Sequence, residues 1–285
     1  MNNELDNNKD LSFGKWGDAL QAGILAARLG RTVLLNYMGR LQNIEHKFQA
    51  GLVSEADKDS EKAIFDFLRK NFPNDEFIGE ESANSKTKVQ EPVSGKNGRW
   101  IVDPLDGTTN YIHQFPVFCV SIGYEFEGQT QVAVIDVPML GEVYTAVRGY
   151  GAFVNGKRMH VSNTEKLSDA FLATGFYNEI ESRLQEQLPI FGKILRESRA
   201  IRRAGAAAYD LCLVARGVFD GYWERGLYPW DASAGQLLVE EAGGKVVTYR
   251  GTPYTPYKNS IVAGNAKVVE HLLSSIKGMI AADSD

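Results

Sequence analysis

The sequence predicts a mixed α/β protein in two lobes, an α+β lobe over 13–155 and an α/β lobe over 156–285 that together form one unit. Three observations carry this prediction. Apolar residues recur at helical spacing near the N-terminus, short strand-like runs follow one another between 117 and 154, and beyond Val161 helical and strand patterns alternate.

The polar opening MNNELDNNKD reads as a flexible tail over 1–12, without the apolar stretch of a secretory signal. Trp16, Leu20, Ile24 and Ala27, with Leu25, Leu29 and Val33 beside them, mark a helix from Trp16 to Met38 that Gly39 ends. A second helix starts at Ser54, turns Ile64, Phe67 and Leu68 inward, and stops before Pro73. FIGEES (77–82) is a strand end entering a loop, and the polar stretch 83–98, with Pro92, Gly95 and Gly98, is an exposed loop. WIVDPLDGTTN (100–110) opens as a buried strand, and further strands read at 117–126, 131–137, 142–147 and 152–154. In the second lobe strands fall near 170–174, 219–224, 245–249 and 260–263. Helices fall near 181–196, 205–217 and 232–242 and from about 266.

With 44% hydrophobic and 24% charged residues the chain is a folded protein, which excludes wholesale disorder. A net charge of −5 provides no basic field for nucleic acid. The basic cluster Arg196, Arg199, Arg202 and Arg203, interrupted by Glu197, reads as a solvated helix end. Cys119 and Cys212 sit among apolar neighbours and read as buried small hydrophobes, as in a reducing compartment. No apolar run approaches the ~20 residues of a membrane helix. The expectation is a cytoplasmic protein that binds neither nucleic acid nor membrane directly.

Four stretches place acids at strand ends or helix starts: Asp57 in VSEADKDSE, Glu80 and Glu81 in IGEES, Asp103 and Asp106 in IVDPLDGTTN, and Asp231 in PWDASAGQ. Taken singly, each has an ordinary structural explanation. Ser54 and Asp57 fit a capping box, Asp231 stands where an N-cap belongs, and Pro104-Leu105-Asp106-Gly107 is turn chemistry. Turn-forming acids, however, do not need an apolar strand such as Trp100-Ile101-Val102 to deliver them to a common edge, and open α/β sheets bind ligands beyond their strand ends. Clustered carboxylates repel one another unless hard cations neutralise them, and oxygen-only ligation suits Mg²⁺. Gly107-Thr108-Thr109 would open a helix whose free N–H groups can hold an anion. Acids for metal beside amides for phosphate point to phosphoryl chemistry.

Magnitudes favour metals over simple acid–base work. Phosphate-monoester hydrolysis can need acceleration of about 10²¹-fold, whereas one general base supplies only about 10²–10⁴-fold. A pair of ions about 3.5–4 Å apart activates the attacking water and neutralises the transferring group. Competing motifs fare badly. GAFVNGKR (151–158) nearly fits a P-loop, but Arg158 stands where Ser or Thr must bind Mg²⁺, and Asn155-Gly156 reads as a hairpin turn. His46, His113, His160 and His271 lie too far apart for zinc spacing, and no G-x-S-x-G or C-x-x-C occurs.

The ordered stretches IGEES, WIVDPLDGTTNY and GYWERGLYPWDASAGQLLVEEAGG resemble the inositol monophosphatase family of Mg²⁺-dependent, lithium-sensitive phosphatases, over nearly the whole chain. The resemblance implies a layered αβαβα sandwich, a homodimer, and metals between the lobes. It implies that Glu80, Asp103 and the Leu105 carbonyl hold a first ion, that Asp103, Asp106 and Asp231 hold a second, and that a third, weaker one lies near Glu80. Thr108 with Glu80 would orient the attacking water, and Asp57 would pair with Thr108. The Gly107 and Thr108 amides would hold phosphate. Glu224 matches the residue that grips substrate hydroxyls. TTNY together with Glu224 is similar to the branch acting on inositol and sugar phosphates, so the expected reaction is release of myo-inositol and phosphate from inositol 1-phosphate. The alternatives are a broader range (fructose 1,6-bisphosphate, histidinol phosphate, nucleotide bisphosphates) or an accessory role in a transcription complex. One departure is Gly51, where relatives often carry an acid or asparagine, in the loop beginning at Lys47.

Overall fold

Helix α1 (Gly17–Tyr37) buries a seam of small residues, Ala19, Ala22, Gly23, Ala26 and Ala27, that lets it lie close against its neighbours. It is followed by β1 (Ile44–Lys47), β2 (Gly51–Ser54) and α2 (Glu55–Asn71). Ser54 caps α2, and Asp57 completes the expected capping box. Then come β3 (Glu76–Gly79), β4 (Arg99–Asp106), the short α3 (Thr108–Ile112), β5 (Cys119–Phe126), β6 (Gln129–Val137), β7 (Glu142–Val147), β8 (Gly151–Val154) and β9 (Lys157–Arg158). The second half holds β10 (Phe171–Thr174), α4 (Glu181–Glu197), β11 (Ala200–Arg202), α5 (Ala207–Ala215), β12 (Gly221–Arg225), α6 (Pro229–Glu241), β13 (Lys245–Val247), β14 (Ser260–Gly264) and α7 (Ala266–Ile276). The computed structural model describes residues 13–47, 51–83, 97–176 and 181–280. The expected tail over 1–12, most of the expected loop 83–98 and the residues between Lys47 and Gly51 lie outside the described residues.

Two large sheets organise these elements. The seven-stranded sheet runs β3-β4-β5-β6-β7-β8-β9, with β3 parallel to β4 and the rest antiparallel. The five-stranded sheet runs β11-β10-β12-β14-β13, with β10 parallel to both its neighbours. Helices α1 and α2 cover one face of the larger sheet, and α6 packs on its other face through β5 and β6. Helix α5 touches strands of both sheets, and α7 covers β14 and β12 from outside with α4 against it. The layers are therefore α1α2, sheet, α5α6, sheet, α4α7, the αβαβα sandwich that the resemblance implies. Strands β5 and β6 are buried on both faces, so they read as near-continuous apolar runs.

The two halves of the chain share one core. Cys119, Ile135 and Tyr144 from the first pack with Leu211, Leu237 and Ile261 from the second. Helix α6 is also tied to the larger sheet by polar contacts: Ser121 Oγ donates to the Trp230 carbonyl at 3.3 Å, and the Thr130 and Ser233 hydroxyls lie 3.0 Å apart.

Three elements differ from expectation. The β1–β2 hairpin has no apolar alternation to announce it, and its described positions in β1 are exposed. Strand β11 occupies part of the basic stretch read as a helix end: Arg196 is in the last turn of α4, but Arg202 lies in β11 with its guanidinium over Phe171. Helix α6 begins at Pro229, three residues ahead of expectation, because Asp231 acts from inside its first turn.

Candidate active site

The two acids of the WIVDPLDG stretch reach the same side of the sheet because β4 carries a bulge. Asp103 pairs with Ser121, and the next partners are Asp106 and Cys119, so three steps on β4 match two on β5. In an unbroken strand, residues three apart face opposite sides; the extra residue restores Asp106 to the face of Asp103. Pro104, which has no N–H to contribute to a ladder, sits within the bulge. Ser121 and Cys119 point to the central helix layer, so both carboxylates meet α5 and α6 there. The Glu80 amide donates to the Val102 carbonyl at 3.2 Å, which continues the β3–β4 ladder and sets Glu80 at the same edge.

Each aspartate is held by one oxygen. Asp103 Oδ1 accepts from the Leu105 amide at 3.0 Å. Asp106 Oδ2 accepts from the Ala208 amide in the first turn of α5 at 2.7 Å and from the Cys119 thiol at 3.7 Å. Asp231 is not the N-cap of α6; that position belongs to Tyr228, whose amide donates back to Asp231 Oδ2 at 2.7 Å. Among the described residues, none donates a hydrogen bond to the second oxygen of each carboxylate.

Electrostatically these acids form one group. Burial lifts Asp103 well above the usual carboxylate range, and Glu80, Asp106 and Asp231 lift it further. Burial does the same to Asp231, with Asp106 and Glu80 adding to it. Asp106 is pushed up to about 7, chiefly by burial, against the opposing Ala208 amide. Among the described residues, no three His, Cys, Asp or Glu side chains already converge as a ligand group. The donor set fits a hard divalent cation: it offers only oxygen, each aspartate is oriented by a backbone amide, and each keeps one oxygen available.

Beside this group, Asp57 is fully buried and serves two ends. Its Oδ2 accepts from the Ser54 amide and hydroxyl at 2.8 and 2.6 Å, and its Oδ1 accepts from Thr108 Oγ1 at 2.9 Å. Thr108 Oγ1 also lies 3.2 Å from the Leu105 carbonyl, but a hydroxyl has one proton, and the nearer carboxylate is the better acceptor. With its proton committed to Asp57, the Thr108 oxygen is left as an acceptor. Burial raises the Asp57 pKa, against the bonds from Ser54 and Thr108 that lower it. Gly107 makes the turn into α3 at φ +94°, where a Cβ would stand 2.9 Å from the Val117 carbonyl.

A model of the inositol monophosphatase family matches residues 19–281. The chain belongs to the inositol monophosphatase family. Nus factor SuhB of Pseudomonas aeruginosa is 39% identical over 263 residues, 90% of this chain and 95% of that protein. A protein of Aquifex aeolicus named fructose-1,6-bisphosphatase/inositol-1-monophosphatase is 38% identical over 260 residues, 90% of this chain and 95% of its own. Among solved structures, the extragenic suppressor protein suhB from Bartonella henselae matches with a TM-score of 0.83 at 38% identity, covering 92% of this chain and 100% of that one. Membership of the inositol monophosphatase family makes this a chain of phosphatase type, and no helix among its described residues is long and apolar enough to cross a membrane.

The second half of the chain contributes groups that local sequence patterns do not reveal. Glu224 stands on β12 and accepts from the Tyr222 hydroxyl. Arg203 and the buried Asp210, from the segment leading into α5 and from α5 itself, act electrostatically on this part of the site. Cys119 is buried as expected, but its thiol is also a partner of Asp106. The P-loop-like GAFVNGKR is the β8–β9 hairpin, turning through Asn155 and Gly156 at φ +48° and +77°. His271 contacts the Glu165 carbonyl at 3.0 Å.

Proposed function

We propose that the chain is a Mg²⁺-dependent phosphate-monoester hydrolase that releases myo-inositol and phosphate from inositol 1-phosphate, working as a cytoplasmic homodimer. The observation that carries this reading is a set of aspartates from both halves of the chain, Asp103 and Asp106 buried and Asp231 half-buried, each oriented by a backbone amide and each keeping one oxygen available, beside a threonine whose proton is committed to Asp57. Glu80, Asp103 and the Leu105 carbonyl would hold one Mg²⁺ and Asp103, Asp106 and Asp231 a second, with a third near Glu80. Bound there, the ions would activate water and neutralise the phosphoryl group. Thr108, with Glu80, orients the attacking water and accepts a hydrogen bond from it, since the Thr108 proton is given to Asp57. The Gly107 and Thr108 amides, at a helix start where N–H groups lack intrahelical acceptors, hold phosphate oxygens. Helix α3 has only five residues, so these local amides matter more than any helix dipole. Glu224 accepts from hydroxyls of the polyol.

The name of the Aquifex relative favours a range that extends to sugar bisphosphates. The name Nus factor SuhB favours a second reading, in which the folded surface serves a transcription complex. A substrate panel with Mg²⁺ tests the first reading: inositol 1-phosphate, fructose 1,6-bisphosphate, histidinol phosphate and a nucleotide 3′,5′-bisphosphate. Turnover is expected to be greatest on inositol 1-phosphate. No turnover of any of them, together with capture of RNA polymerase components, would replace it with the second.

A further inference from the structure

Strand β12 alternates its side chains between two cores. Trp223 enters the outer core beside Val262 and Val268, whereas Tyr222 enters the shared core between the sheets. Glu224, two residues on, lies on the face of Tyr222. Tyr222 is fully buried, and its hydroxyl donates to Glu224 Oε2. Among the described residues, none donates a hydrogen bond to Oε1 of Glu224. On another side the carboxylate lies against Gly175 at the end of β10, where an added Cβ would overlap it. The carboxylate is thus packed against backbone and tied at one oxygen by a phenol.

We propose that Tyr222 is a positioning residue for substrate recognition: its hydroxyl holds Glu224 in one orientation and reserves Oε1 for the hydroxyls of the polyol. This rests on the reading of Glu224 as the group that grips substrate. The tie is one-way. Burial, and then the Glu224, Asp210 and Asp106 carboxylates, push the Tyr222 phenol well above the ordinary tyrosine range, so it stays protonated and remains a donor. Burial pushes Glu224 up to about 7, while the bond from Tyr222, and then Arg203, pull it down. Asp210 on α5, Asp106 on β4, Asp231 on α6, and Tyr249 and Tyr254 beyond β13 also face it. A donor to the carboxylate favours its ionised form, which is the form that accepts from a hydroxyl. Without Tyr222, Glu224 would hold its proton to higher pH and would lose the bond that fixes which oxygen it presents.

Two measurements on the full-length chain test this. The first is thermal melting in chelator at about pH 5 and about pH 8. Glu224 has a raised folded pKa, so its ionisation costs nothing well below the unfolded value and its full amount above about 7. The Tyr222 bond relieves part of that cost only where Glu224 is charged. Tyr222→Phe is therefore expected to lose about 4 °C more at the higher pH than at the lower. In a Glu224→Gln background the loss should be the same at both. A pH-independent loss in the parent background would reduce Tyr222 to packing and overturn the proposal.

The second measurement is kinetic. On inositol 1-phosphate, Tyr222→Phe should raise KM about tenfold and lower kcat by less. The loss in kcat/KM should exceed that on p-nitrophenyl phosphate, and combination with Glu224→Gln should add little to either single change. Additive effects, or equal losses on both substrates, would overturn the proposal. A parent enzyme inactive on every phosphate would remove the functional reading and, with it, the substrate role given to Glu224. The melts would still decide the Tyr222–Glu224 link by themselves.

Discussion

Replacing Asp106 with Asn separates a metal ligand from a capping residue. Asp106 is 9% exposed and its Oδ2 receives the Ala208 amide that opens α5, so Asn at this position keeps the shape and the cap. What Asn removes is a charge. The carboxyl is raised from 3.8 to about 7 by burial, with Glu80 and Glu224 adding to it. Holding it ionised above that pH therefore costs up to ~4 kcal/mol in the metal-free protein. The sign follows from the raised pKa. The cost is absent below the unfolded value of 3.8, grows through the interval up to about 7, and is constant above it. In chelator, Asp106→Asn should melt at or above the parent, with an advantage that widens from about pH 4 to about pH 7 and then stays flat.

Magnesium should narrow that advantage. An ion at 100 times its Kd stabilises the parent by about 2.7 kcal/mol, and a site lacking one ligand gains less. Phosphate release from inositol 1-phosphate should meanwhile fall by several orders of magnitude, since the proposed reaction relies on ions to activate water and neutralise the transferring group. The measurements are melting curves with and without Mg²⁺ across pH and one rate assay. A variant that melts at the parent temperature at every pH, gains the same from Mg²⁺ and still turns over substrate would mean that Asp106 only caps α5.

Excess chelator should abolish phosphate release, and millimolar lithium should inhibit it; activity that survives chelation would remove the two-ion reading, and lithium insensitivity would point to altered geometry at the Asp103, Asp106 and Asp231 site. Glu224→Gln should lose more on inositol 1-phosphate than on p-nitrophenyl phosphate, and equal losses would move Glu224 into the metal-binding group. Thr108→Ser should retain most activity, while Thr108→Val should lose about 10²–10³-fold and also about 1–3 kcal/mol of stability, because it leaves the buried Asp57 Oδ1 unpaired; comparable rates for the two variants would take Thr108 out of the reaction.

Long apolar periodicities made most of the fold legible. The helices around Trp16–Met38 and 54–72 and the strands at 131–137 and 142–147 stand where their patterns set them. What escaped has physical reasons. The described positions of β1 are exposed, so no alternation was needed to form that strand of the β1–β2 hairpin. Strand β11 is a three-residue edge strand, and its Arg202 with Arg199 just before it suits an exposed edge and imitates a helix end; Arg199 pairs with Asp169 at 3.1 Å. The bulge in β4 was legible only as a proline between two acids. Its consequence, two carboxylates on one face, needed the register with β5. Tyr222, Asp210 and Cys119 were unremarkable buried residues by pattern, because what they do depends on which carboxylates the fold sets beside them. Asp57 shows the opposite lesson: the capping box and the partnership with Thr108 are both present, since a carboxylate has two oxygens and each serves one of them.

The position of the site also explains how a fold can hold so many acids. Asp103 and Asp106 belong to the larger sheet, Asp231 belongs to α6, and the amide that orients Asp106 belongs to α5. Helices α5 and α6 are buried in the core common to both halves, through Leu211, Leu237 and Leu238 among others. Repulsion among the carboxylates therefore pushes sheet against helix across a packed interior, where a shift of either element would open a gap among residues that are 0% exposed. Burying a side chain such as Leu237 stabilises by about 1.5–3 kcal/mol, and several such residues together exceed the ~4 kcal/mol assigned to one raised carboxyl. The aspartates are held near one another by hydrophobic packing, and their remaining oxygens are oriented before any ion arrives. A cavity-forming change in that core, such as Leu237→Ala, should then weaken Mg²⁺ stabilisation as well as the fold, although Leu237 is not among the residues assigned to the ions.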